Sequence, residues 1–196
     1  MKQDNGRRLG FAKLVVLAAA LAVPLSSLAS VTLAVAETAI VPEKNPPGDI
    51  PDSQVFVGYA GNGVALQVPE GWARSDVAGG AVFADKLDGV SVVVAAGEAP
   101  TLASVKGGYV AQMKVAGRAV EVSAVTAVDL PGGKAILIVY GANSEPNAVT
   151  NKQVRQEANR YLFFQAGKVA VLDLYAPAGA DNVDQWTLMS RSFQWK

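Results

Sequence analysis

The sequence predicts an α+β domain in which an antiparallel β-sheet carries helices on its faces. Three observations point there. Apolar residues alternate in short runs, and the runs are joined by Gly- or Asn/Asp-Gly turns, the signature of antiparallel hairpins. Two later stretches switch to apolar spacing of three and four residues, the helical period. At 196 residues and 51% hydrophobic content, the chain is long enough for one cored domain plus a targeting segment.

The targeting segment comes first. Lys2, Arg7, Arg8 and Lys13 precede a run without charge from Leu14 to Ala36, followed by Glu37. A basic start, an apolar middle and a small-residue exit describe a secretory signal. Ala34–Val35–Ala36 offers one cleavage pattern and Ser27–Leu28–Ala29 an earlier one. An uncleaved membrane anchor is the rival, although Pro24 and the scattered Ser and Thr weaken a lipid-facing helix. Either way the basic residues stay in the cytoplasm and the remainder lies outside it. Arg7–Arg8 followed by Leu9–Gly10–Phe11 is an imperfect twin-arginine match. Without residues 1–36, the chain keeps 13 basic and 16 acidic residues, a net charge of about −3.

Residues 37–53 contain four prolines and little periodicity, and are expected to form an extended linker before a domain over residues 54–196. "QVFVGYA" and "GVALQVP" flank Gly61–Asn62–Gly63 as a first hairpin. The "VPEGW" corner follows. Pro69 ends the strand, Gly71 suits the close of a type I turn, and Trp72 is expected to be largely buried. "AVFADK" and "VSVVVAAG" form the next two strands, turning at Asp88–Gly89.

A helix is predicted from a Thr101 cap to Ala116, with Leu102, Val105, Tyr109, Met113 and Ala116 on one stripe and Gly117 as its stop. Gly107 and Gly108 weaken its middle. A long hairpin follows, turned at Pro131–Gly132–Gly133 as a type II turn. The polar stretch from Asn143 to Asn159 reads as a long connection with its own short irregular strand.

The segment "RYLFFQAGKVAVLDLYAP" forms the last hairpin. A two-residue turn at Ala166–Gly167 places Arg160 opposite Asp173 and Leu162 opposite Val171; a left-handed bulge at Gly167 would break that pairing. A closing helix starts at an Asp181 N-cap, with Asp184 in its first turn. Val183, Trp186, Met189 or Ser190, and Phe193 form its apolar face, with Trp195 tucked in behind.

This order of elements, with "VPEGW", "RYLFF…GK…VLDLYAP" and "DNVDQWTLMSRSFQW", resembles the PsbP-like domains over about Gln54 to Lys196. The superfamily includes bacterial cell-envelope lipoproteins of the LpqN and DcrB types. The resemblance implies an α/β/α sandwich and a non-enzymatic binding or assembly-support role. The chain departs from the lipoprotein branch in having no cysteine to acylate. It also lacks the histidine associated with metal binding in the photosynthetic branch, so no metal residues are carried over.

Composition excludes several chemistries. No cysteine means no thiol nucleophile, thiolate metal site or disulfide, and no histidine removes the usual base near neutral pH. Neither a Gly-x-Ser-x-Gly elbow nor a Ser-x-x-Lys pair occurs. The carboxylate pairs Asp85/Asp88 and Asp181/Asp184 read as turn and cap residues. Gly79–Gly80 and Gly132–Gly133 read as turns, not phosphate cradles. Basic residues form no dense block for nucleic acid. No enzyme, cofactor or metal is therefore expected.

The candidate binding residues are Arg160 and Asp173, with Tyr109, Tyr140 and Tyr161 able to line a groove beside them. The expected partner is an envelope protein. The alternative is a small ligand held between the sheet and the Thr101–Ala116 helix.

Overall fold

Turn geometry sets the strand order. The computed structural model describes residues 37–196, so the signal or anchor expected over residues 1–36 lies outside them. The first hairpin pairs β1 (Phe56–Gly61) with β2 (Val64–Pro69) through Asn62 and Gly63, which both take positive φ, as a twisted two-residue loop requires. β2 then pairs on its other side with β10 (Gln194–Trp195), making a separate three-stranded sheet.

The main sheet has seven strands, with β3 (Ala73–Val77), β4 (Gly80–Asp85), β5 (Asp88–Ala96), β9 (Lys168–Pro177), β8 (Arg155–Gln165), β7 (Gly133–Asn143) and β6 (Glu121–Leu130) in spatial order. Every neighbouring pair is antiparallel.

Its two faces carry different covers. On one, β1, β2 and α3 (Val183–Ser192) enclose a core that includes Leu66, Phe83, Val92, Phe163, Leu172, Leu174 and Met189. Phe193 is wholly buried there and stacks on Phe163, centroids 4.0 Å apart and planes 13° off parallel. Trp195 meets the edge of Phe193 from behind, as expected. On the other face, α1 (Leu102–Ser104), a π-helical turn (Val105–Tyr109) and α2 (Val110–Ala116) form one interrupted helix. It packs Val105 and Met113 against Ile136, Ile138 and Leu162. Thr101 caps it reciprocally with Ser104, and Gly117 ends it. The π-helical turn falls on Gly107 and Gly108, where low helix propensity makes a widened turn least unfavourable.

Several local expectations need correction. The first hairpin stands outside the main sheet, and β3 adds an edge strand that the sequence pattern did not reveal. All five β3 residues are exposed, so no apolar alternation marks them. The β4–β5 turn is at Lys86–Leu87, and Asp88 and Gly89 belong to the strand. Gly71 takes a positive φ of +84°, as a glycine at this corner permits, and Trp72 is only partly buried against the core. Near Pro131 the positive φ falls on Gly133, not Gly132, so the turn is not type II.

In the second half, β7 runs to Asn143 and β8 begins at Arg155, which shortens the polar connection expected between Asn143 and Asn159. Asn182, not Asp181, stands at the N-cap of α3, and its side chain is engaged elsewhere. Val183 is 70% exposed and does not belong to the buried face.

Residues 37–53 are extended but lie along the domain. Asn143 donates to the Thr38 carbonyl and accepts from the Ile40 N–H. Glu37 accepts from Asn143 and from Arg118. Further on, Asn182 accepts from the Ile50 N–H at 2.6 Å and donates to the Gly48 carbonyl at 2.8 Å, and Ile50 is buried in the core. Two buried asparagines, each bonding as both donor and acceptor, thus hold a strap that lacks secondary structure of its own.

Candidate functional site

Alternation along neighbouring strands brings the candidate residues into one row. The β8–β9 turn takes two residues, Ala166 and Gly167, both with positive φ, and this fixes Arg160 opposite Asp173 and Leu162 opposite Val171. On β7, Ile138 pairs with Arg160 and Tyr140 with Ala158, so Tyr140 stands diagonal to Arg160 on the same face. Tyr109, the last residue of the π-helical turn, reaches this row at Arg160.

A continuous polar network results. The Tyr140 hydroxyl donates to the Asp173 carboxylate, with Oδ1 at 3.0 Å and Oδ2 at 2.9 Å. Arg160 Nη2 donates to Asp173 Oδ2 and to the Tyr140 oxygen, the latter at 3.2 Å. Arg160 Nη1 reaches the Tyr109 oxygen at 3.5 Å, and the guanidinium carbon lies 5.3 Å from the Tyr140 ring centroid. Asp173 and Tyr140 are buried. Arg160 Nε is buried without a hydrogen-bond partner.

Electrostatics fixes the protonation states. Burial, then the Asp173 charge beside it, pushes the Tyr140 hydroxyl far above the ordinary phenol range. Burial works against the Arg160 charge, but Asp173 outweighs it and holds the guanidinium protonated. Tyr140 therefore keeps its proton and Asp173 spends its oxygens as an acceptor. No base or nucleophile is left free in the network, which locks three strands together.

Tyr161 does not join this row. It points to the opposite face, stacks on Phe163 at 6.2 Å, and forms part of a cleft. The cleft has a volume of about 220 Å³ and lies between β8 and the start of α3. Glu157, Asn159 and Tyr161 alternate along β8 to line one wall, and Val183, Trp186 and Thr187 line the other at the i, i+3, i+4 spacing of one helix face. It sits across the sheet from the Thr101–Ala116 helix, not beneath that helix as the alternative expected. Burial raises the Glu157 carboxyl above its ordinary range, and a backbone hydrogen bond from Gly179 partly offsets this.

Sequence reasoning missed Glu157 because it lay in what read as a polar connection. It also missed Asp88, assigned to a turn. Asp88 is 7% exposed, and its Oδ1 is buried without a partner beneath the strap at Gly48. Among the described residues no cluster of three acidic side chains could hold a metal ion. No helix among them is long and apolar enough to cross a membrane.

Comparison with solved structures identifies the fold. The solution structure of cyanobacterial PsbP (CyanoP) from Synechocystis sp. PCC 6803 matches with a TM-score of 0.53 and 18% identity, over 78% of this chain and 100% of that one. A crystal structure from Bacteroides thetaiotaomicron VPI-5482 matches with a TM-score of 0.44 and 9% identity, over 68% of this chain and 45% of that one, too distant to carry an argument. No protein-family model matches the chain, and no curated protein does. The fold is PsbP-like: antiparallel sheets with a few helices.

Proposed function

We propose that this chain is a non-catalytic accessory protein of the bacterial cell envelope that works outside the cytoplasm by binding and supporting a protein partner. The observation that carries the reading is a PsbP-like fold whose principal polar network is closed on itself. Catalysis needs a base or nucleophile poised toward a substrate. Here the Asp173 carboxylate is engaged by the Tyr140 hydroxyl and by Arg160 Nη2, and the one unpartnered group, Arg160 Nε, is neither a base nor a nucleophile. The basic and apolar leader supports export, either released or tethered by an uncleaved segment. Kinship with the LpqN and DcrB types is part of this proposal, with a peptide tether or release in place of the missing lipid-bearing cysteine.

A small-ligand module is the second reading, favoured by the cleft beside α3. At about 220 Å³ it is smaller than most cofactor and drug-sized sites. Crosslinking pull-down from membranes, with N-terminal sequencing of the mature protein, tests the main reading. One specific partner and a start at Glu37 or Ser30 support it, and so does a partner with an intact Met1, which makes the protein anchored. Absence of any specific crosslink overturns it.

A further inference from the structure

We propose that the cleft between β8 and α3 binds a guanidinium or ammonium group on an apolar stem, supplied by an arginine or lysine side chain of the protein partner, with Glu157 as the counter-charge. The source of the cation rests on the accessory-protein reading above; the chemistry of the cleft does not.

Shape, lining and charge agree. The volume of about 220 Å³ suits one long side chain. Tyr161, Trp186 and Val183 supply apolar and aromatic wall, against which a methylene stem packs and a cation is attracted to ring faces. Val183 stands 70% exposed at the rim, an apolar side chain with no cover of its own.

The carboxylate is the directing group. Its cross-strand neighbours are Gly141 and Ala176, neither of them charged. Among the described residues, no Lys or Arg lies within ion-pair distance of it. Burial disfavours its charged form, with only the Gly179 backbone N–H in compensation. An arriving cation restores the interaction that lost water supplied, through a charge-assisted hydrogen bond. An uncharged isostere cannot. Asp173 differs in that its carboxylate is already matched by Arg160 and Tyr140.

The test titrates the purified protein with N-acetyl-arginine amide and with N-acetyl-citrulline amide, followed by amide NMR shifts. The arginine compound should perturb Glu157, Val183 and Thr187 in a saturable manner, and the citrulline compound should bind at least tenfold more weakly. Glu157→Gln should lower arginine affinity at least tenfold. Asn159→Asp adds a second carboxylate to the same wall and should tighten binding several-fold, a gain that misfolding cannot imitate. Equal response to both compounds, or undiminished binding by Glu157→Gln, overturns the proposal. Running the membrane crosslinking with Glu157→Gln beside the unaltered chain separates the two readings. A captured partner that is indifferent to Glu157→Gln overturns the partner side chain as the occupant of the cleft and leaves the accessory role standing. Arginine binding without any captured partner overturns the accessory role and the source of the cation, and leaves the cation site standing.

Discussion

On one face of the seven-stranded sheet the core runs through Phe163, Leu172, Leu174, Met189 and Phe193 with no ionised side chain among them, whereas on the other Arg160 and Asp173 lie among Ile138, Leu162 and Val105. The first face is held by shape. Its interactions are non-directional, and each removed ring leaves a void. The second is held partly by matched charge, where removing one partner strands the other but removing both leaves little unsatisfied. The two faces should therefore answer differently to paired deletions.

The largest effect is expected at Phe193→Ala, which empties the stack on Phe163 and should lower unfolding free energy by about 4 kcal/mol in chemical denaturation. Deleting Phe163 as well should deepen the loss. Asp173→Ala should follow at about 3 kcal/mol, because Arg160 and the Tyr140 hydroxyl lose their acceptor. The double variant Arg160→Met/Asp173→Leu should recover most of that loss. If it does not, the second face is held by shape like the first, and the contrast fails.

A third effect concerns Asp88, at the margin of the first face. Burial, followed by repulsion from Asp85, raises its carboxyl from 3.8 to about 7; nearby Lys86 opposes the shift and Asp49 on the strap adds to it. The folded state therefore binds more protons between those values, so the contribution of this group to stability is complete below pH 4 and falls as pH rises to about 7. Asp88→Asn should flatten that part of the stability profile and gain about 2 kcal/mol at pH 8, a figure discounted for nearby solvent. An unchanged profile would mean that the strap does not seal the carboxyl. The smallest effect is expected at Gly107→Ala. A methyl group there meets nothing within 4 Å, so the variant should gain about 0.5–1 kcal/mol through helix propensity alone.

What could be read in the sequence was whatever left a local mark. The Ala166–Gly167 turn fixed the register of β8 and β9, and with it the Arg160–Asp173 pair, since strand alternation converts a turn into a side-chain row. Thr101 and Gly117 marked the ends of the interrupted helix. Features set by distant segments left no such mark. β10 exists because β2 offers it an edge, which two residues of sequence cannot announce. Asn182 resembles an ordinary cap residue until Gly48 and Ile50 arrive from 132 to 134 positions away. Glu157 seemed one more polar residue in a loop until α3 placed Trp186 and Val183 across from it.

The strap also defines a load path. Tension applied at Glu37 passes first to Asn143 on β7, and then, once that clip yields, to Asn182 at the threshold of α3. The second clip borders the cleft through its neighbour Val183. A domain hauled by its N-terminal end would thus feel the pull first at the end of β7 and next at the doorstep of its cation site.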